Sequence, residues 1–240
     1  SFFYQRNLQM YRLDSGILYA VFKRSIQSFV LIMDTKTKIL NAAEHLFASR
    51  GPNATSLRQV IGRANVNLAA IHYHFGNKES LLHAVLSRRL IPLNADRLAL
   101  LEKYERESGK RAVSLPKILE ALVGPALRLS RDPKQGGTVF MRLLGRCVLE
   151  PDEKIQTMLN HQFHYVLERF TPAFKRAVPS LPPVEFFWRI HFLVGSMAHT
   201  MADSERLCAI SGGLCDPNDA EGTIRRLVTF LNAGLKAKVD

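Results

Sequence analysis

From residue 34 onward the chain repeats its apolar positions at helical intervals. Ile39, Leu40, Ala43, Leu46 and Phe47 fall on one face by three-, four- and seven-residue spacing. Asp34 or Thr35 is placed to cap this helix, and Gly51 ends it. After a loop at Pro52 and Asn53, Thr55 or Ser56 caps a second helix with Leu57, Val60, Ile61 and Ala64 facing inward. Asn65 sits at the following turn, where asparagine tolerates the left-handed conformation. The pattern predicts a third helix from about Leu68 to Phe75. Gly76 ends it, and Asn77 caps a fourth through Lys78, Leu81, Leu82, Val85 and Leu86.

Helical patterning continues beyond, with breaks at Ser108–Arg111, Arg131–Gly136, Glu150–Asp152, Pro179–Pro183 and Ser211–Pro217. There is no strand-like alternation with hairpin turns and no internal repeat, so the expected fold class is all-α. Three regions follow from the pattern. Residues 1–33, rich in aromatics and without clear caps, are expected to be an N-terminal extension, non-native or poorly ordered, with Met33 near the natural beginning. Residues 34–82 form a helix-turn-helix unit. Residues 83–240 form a larger helical domain. A membrane-surface helix over residues 17–32 is the alternative for the first region. "GILYAVFKRSIQSFVLIM" approaches the length of a spanning helix, but Lys23 and Arg24 split it. It also lacks the layout of a signal peptide.

Composition adds a partner class. The 240 residues carry a net charge of +12, which favours a polyanion such as nucleic acid or an anionic membrane. The excess is uneven: net +5 over residues 34–90, against +4 over the much longer span 91–240. Three cysteines, Cys147, Cys208 and Cys215, make no disulfide framework and fit a reducing, cytoplasmic compartment. Cys208 and Cys215 are more simply small residues around a Gly-rich loop than a redox pair. No Cys/His spacing suits zinc, and no cofactor motif is present.

The basic segment contains "TSLRQVIGRANVNLAAIHYHFGNKESLL", two helices around a short turn with a bracing helix before them. In such a unit the second helix enters the DNA major groove. On a helical wheel Ile71 and Phe75 face the brace, Ala69, Ala70 and Tyr73 lie opposite, and His72 and His74 occupy the flanks. The alanines permit close approach to base edges and can meet a thymine methyl. Tyr73, His72 and His74 can bond phosphates, and Thr55 and Ser56 open a helix N-terminus that favours one. Arg58 can reach a base edge, and Lys78 adds charge on the same side. The histidines lie about 200° apart on the helix, a poor metal pair. With Asn67 and Leu68 at the start of the helix, the candidate DNA-contacting set is Thr55, Ser56, Arg58, Asn67, Leu68, Ala69, Ala70, His72, Tyr73, His74 and Lys78.

This stretch resembles the DNA-binding domain of the TetR family of transcriptional regulators. The Thr55 cap, Val66 after the turn, the "HYHF" end, Lys78 and Leu81 match the family pattern over about residues 36–82. Asn65 replaces the usual glycine but can adopt the same turn. The resemblance implies an all-helical homodimer that places one helix on each half of a palindromic operator. It also implies a C-terminal domain that binds a small-molecule effector and thereby lowers DNA affinity.

Residues 91–240 carry no nucleophile elbow, phosphate loop or paired-carboxylate motif, so no catalytic residue is expected. "VFMRLLGRCVLEP" and "LPPVEFFWRIHFLVGSMAHTMAD" are apolar nearly all round, with Arg142, Arg146, Arg189 and His191 inside. They read as buried helices with snorkelling arginines, or as a pocket. The candidate pocket set is Phe140, Met141, Leu144, Arg146, Phe163, Leu167, Phe187, Trp188, His191 and Phe192, with a basic residue holding a carboxylate. Met141, Met158, Met197 and Met201 suit a flexible ligand. "NLAAIHYHFGNKESLLHAVLSRRL", "FMRLLG" and "PPVEFFWRIHFLVG" resemble the fatty-acid-responsive β-oxidation repressors within the family. That likeness implies a fatty acid or acyl-CoA effector; an aromatic or other hydrophobic effector, and activation instead of repression, remain alternatives. The last two helices, about Pro183–Arg206 and Asp219–Ala237, are expected to pair across a two-fold axis, with Gly195, Ser196, Ala198 and Thr223 allowing close contact.

Overall fold

The computed structural model describes residues 34–238 apart from 203 and 217, and all regular structure among them is helical. The expectations for residues 1–33 lie outside the described residues. Helix α1 runs through residues 34–50, followed by α2 (Leu57–Ala64), α3 (Leu68–Phe75) and α4 (Lys78–Ser108). Then come α5 (Leu115–Ser130), α6 (Gly137–Leu149), α7 (Glu153–Ala177), α8 (Pro183–Ala202), α9 (Ser204–Ile210) and α10 (Ala220–Lys236). Each break read from the sequence falls at a junction between two of these helices, with Ser108 ending α4 and Pro183 opening α8. Asp34 and Thr35 are already helical, so neither is the cap expected of it.

The head consists of α1, α2 and α3 packed on the first turns of α4. Ile39, Phe47, Val60, Ile71, Leu81 and Val85 are fully or almost fully buried there. The α2–α3 turn follows local chemistry. Ser56 and Gln59 form a reciprocal capping box, and Asn65 closes α2 in the left-handed region at φ 52°, ψ 54°. Asn67 caps α3 by accepting the Ala70 N–H at 2.8 Å, and Asn77 does the same for α4 from Ser80 at 2.8 Å.

At 31 residues, α4 is about 46 Å long. It runs from the head into the second layer, where it packs on α5 and α7. Helices α6 and α8 pack on each other, and α10 lies along α5 and α8. One buried ion cluster ties head to body. Glu44 on α1 is 3% exposed and pairs with Arg88 and Arg89 on α4. Arg88 also donates to Asn41 at 2.7 Å.

Candidate functional site

The exposed face of the head is built by α3. Burial of Ile71 and Phe75 against α1 and α4 leaves Tyr73 75% exposed and Leu68 51% exposed, with Ala69 and His72 also outward. Ala70 and His74 are half-buried at the edges. His72 Nδ1 donates to the Gly76 carbonyl at 2.8 Å, so its Nε2 carries the lone pair unless the ring is doubly protonated. Arg58 stands exposed on α2 and Ser56 opens that helix. Small, apolar and hydrogen-bonding groups thus project from a rigid base.

Two members of the expected set sit differently. Thr55 is 1% exposed, and its hydroxyl bonds the Gly51 carbonyl at 2.8 Å and the Leu46 carbonyl at 3.3 Å. It closes the end of α1 and offers nothing to a ligand; the cap of α2 is Ser56. The half-buried Lys78 directs its ammonium to the carbonyls of Asn53 at 3.4 Å and Thr55 at 3.3 Å. It pins the α1–α2 loop and retains a third N–H donor.

The second feature is a cavity of about 290 Å³ enclosed by α4, α5, α6, α7 and α8. Its walls include Leu93, Met141, Leu144, Phe163, Phe170, Phe186, Met197 and Met201, and no carboxylate lines it. A larger groove of about 560 Å³ between α4 and α5 is open and rimmed by charged side chains, among them Arg88, Asp96, Lys103 and Asp132.

Of the expected pocket residues, Met141, Leu144, Phe163 and Leu167 line the cavity. Phe140 is fully buried in the surrounding core. Phe187, Trp188, His191 and Phe192 point the other way, exposed on the outer face of α8. That helix is apolar nearly all round. Its inner face is Phe186, Ile190, Leu193, Met197 and Met201, which recur at three- and four-residue intervals. Ala198, expected at a helix–helix contact between subunits, also lines the cavity.

None of the four expected basic residues enters the cavity. Arg142 and Arg146 are exposed, and Arg146 borders a surface cleft beside Gly51 and Asn53. Arg189 caps α10, donating to the carbonyls of Gly234, Leu235 and Ala237 at 3.0, 3.2 and 2.8 Å.

The basic group in the cavity wall is Arg97 on α4, only 3% exposed. Its Nε donates to the Leu122 carbonyl at 2.8 Å and its Nη1 to Asn94 Oδ1 at 3.1 Å. Asn94 is held in turn by the Gln162 carbonyl at 3.0 Å. Burial lowers the Arg97 pKa to about 10, so the guanidinium remains charged at neutral pH. The sequence does carry a signal for it. Leu86, Leu90, Leu93, Arg97, Leu101 and Tyr104 repeat at three- and four-residue steps, which places a charge at a core position.

Cys147 is a buried free thiol whose pKa is pushed up to about 12 by burial and by Glu150. Cys208 and Cys215 are also free. Among the described residues no His, Cys, Asp and Glu cluster suits a metal, and no helix is long and apolar enough to cross a membrane.

Comparison with known proteins bears on both features. The sequence model for bacterial regulatory proteins of the tetR family matches residues 39–85. That for the tetracyclin repressor-like C-terminal domain matches residues 120–234. An HTH-type transcriptional repressor of Mycobacterium tuberculosis is 52% identical over 48 residues, covering 20% of this chain and 26% of that protein. The repressor BepR of Brucella suis is 34% identical over 114 residues, covering 48% of this chain and 51% of its own length. The chain thus spans from a quarter to about half the length of these curated relatives. The fold matches FadR from Bacillus subtilis in complex with stearoyl-CoA at a TM-score of 0.58 and 13% identity, over 82% of this chain and 98% of that one. A tetR-family regulatory protein from Rhodococcus RHA1 matches at a TM-score of 0.57 and 17% identity, over 85% and 98%. With one sequence model on the helix-turn-helix head, the other on the helices around the cavity, and the same architecture in solved members, the chain belongs to the TetR family of bacterial regulatory proteins.

Proposed function

We propose that the protein is a dimeric, ligand-responsive DNA-binding transcriptional regulator, acting in the cytoplasm as a repressor that an apolar acid releases from a palindromic operator. The observation that carries this reading is the outward face of α3, where Leu68, Ala69, His72 and Tyr73 stand clear of a head core sealed by Ile71 and Phe75. Such a face fits a major groove, with small side chains against base edges and polar ones against the groove walls. Arg58 and Ser56 extend the contact along α2. Lys78 contributes its remaining N–H donor to a phosphate.

The dimer forms through the outer face of α8 and through α10. Val184, Phe187, Trp188 and Phe192 on α8 and Phe230 on α10 are all more than half exposed, and Trp188 stacks on Phe192 with ring centroids 5.8 Å apart. An aromatic patch of this kind is costly in water and suits a self-complementary interface.

A contiguous route joins cavity to head. Leu144, Gly145 and Val148 of α6 line the cavity. The end of α6 is gripped by Gln156, whose Nε2 donates to the carbonyls of Cys147, Val148 and Glu150 at 3.1, 3.3 and 2.7 Å. Glu150 then accepts from Asn53 of the α1–α2 loop at 3.1 Å. A ligand that displaces α6 therefore pulls on the loop that Lys78 pins. Glu150→Ala should leave effector and operator affinities within about threefold of wild type while shrinking the effect of one on the other, a coupling of roughly 1–3 kcal/mol in such systems. Titrating operator affinity at rising effector concentration measures it; undiminished coupling rules out this route.

Lys78→Ala should weaken binding to all DNA sequences alike and lower the salt slope by about one per subunit. A loss confined to one sequence would contradict a phosphate contact. The reading as a whole is tested by selecting bound fragments from a genomic pool. Mass spectrometry of co-purifying small molecules and DNA binding with and without them then follow. No selected sequence, or no half-site symmetry in it, would overturn the reading.

A further inference from the structure

We propose that Arg97 is the anchor of the effector site, and that the cavity takes a free carboxylic acid of medium length, carboxylate on the guanidinium, and not its CoA thioester. The inference rests on the cavity being the effector site, as proposed above.

The first observation is a charge without a counter-charge. Buried arginines are ordinarily paired with acids, because a buried charge is several kcal/mol unfavourable when left alone. Arg97 is 3% exposed, no Asp or Glu lines the cavity, and among the described residues its hydrogen-bond partners are the neutral Leu122 carbonyl, the Asn94 amide oxygen and the Met197 sulfur.

The second is the set of free donors. A guanidinium carries five N–H groups. The Nε–H and one Nη1–H are used. The Nη2 group meets only Met197 Sδ at 4.0 Å, a weak acceptor that itself lines the cavity. The unused donors on Nη1 and Nη2 form one side of the fork that receives a carboxylate in bidentate fashion. Asn94, held by the Gln162 carbonyl, fixes the plane of the fork.

The third is size and placement. At about 30 Å³ per heavy atom, roughly the share of one water in the liquid, the 290 Å³ cavity holds about ten heavy atoms. Octanoate and decanoate are of this scale, and the remaining walls are almost all apolar. Arg97 lies with buried Leu93 and Leu193, whereas Val148, Asn160, Leu167 and Val194 are the exposed wall residues where a ligand would enter. A CoA thioester has no charge at its carboxyl carbon. Its phosphates belong to a nucleotide several times larger than the cavity, so it would leave Arg97 facing hydrocarbon.

The test is calorimetric titration of the full-length wild-type protein with octanoate, decanoate, decanol and decanoyl-CoA, repeated on Arg97→Met and Arg97→Lys. Operator affinity is measured in parallel. The acids should bind wild type, and decanol and decanoyl-CoA should bind at least about tenfold more weakly. Arg97→Met should lose acid binding by about 30-fold or more without any fall in its melting temperature. Arg97→Lys should retain part of the binding, since it keeps the charge and loses the fork. Equal binding of decanol or decanoyl-CoA, unaltered acid binding by Arg97→Met, or no binding of either acid overturns the anchor. If Arg97→Met is too unstable to purify, a structural role for Arg97 is indicated unless Arg97→Lys, folded, shows the graded loss. Acid binding that depends on Arg97 but leaves operator affinity unchanged upholds the anchor and overturns the regulatory reading instead.

Discussion

Tyr73→Ala is expected to weaken operator binding by about 100-fold while leaving the fold intact. The ring is 75% exposed and held by no core contact, so its removal should change stability by less than about 0.5 kcal/mol. Each subunit of a dimer supplies one copy. Loss of a contact worth about 1.4 kcal/mol at both half-sites gives roughly two powers of ten. Fluorescence anisotropy with a selected operator measures the loss, and unchanged affinity would remove α3 from the DNA contact. Tyr73→Phe divides the effect. If phenylalanine retains binding, the ring packs on sugar or base; if it does not, the hydroxyl bonds a phosphate.

The largest stability effect is expected at Glu44. Its side chain is 4% exposed, and it meets two arginines whose side chains are 23% and 22% exposed. Glu44→Ala leaves both guanidinium groups close together without their shared counter-charge. Truncating one partner of a buried ion pair costs about 3–5 kcal/mol, because the remaining charge is left unsolvated. The arginines retain some contact with water, so about 3 kcal/mol is expected. For a domain of this size that is roughly 6–12 °C in melting temperature. Glu44→Gln, which keeps the shape and one acceptor, should lose less. Adding Arg88→Met and Arg89→Met to Glu44→Ala should recover part of the loss. A shift below about 1 kcal/mol for Glu44→Ala in chemical denaturation would mean that packing alone joins α1 to α4.

Other consequences of burial were hidden by chain-local reading. Thr55 has the identity and position of a helix cap and of a phosphate ligand. The neighbouring Ser56 takes the cap, and the Thr55 hydroxyl turns inward to the carbonyls at the end of α1. Lys78 was legible as a charge next to α3. Its bonds to the Asn53 and Thr55 carbonyls depend on the path of a loop more than twenty residues earlier.

The sequence by itself determined what is decided within one or two helical turns: the all-α class, the helix breaks, the Asn65 turn, the cap at Asn77, and the inward pair Ile71 and Phe75. Those choices are governed by capping groups, left-handed tolerance and a 3.6-residue period, all of which act locally. The likeness to a regulator family was legible for the same reason, since it resides in one short, locally coded head. Only the tertiary structure decided the cavity. Helix α8 is apolar nearly all round, so periodicity assigns it two acceptable inner faces. The packing of α5 and α6 selects Phe186, Ile190 and Met197 and leaves Trp188 and Phe192 outside. The choice of Arg97 over Arg146, Arg189 and His191 has the same origin. Whether a basic side chain is solvated, caps a distant helix or stands alone in an apolar wall depends on which elements surround it.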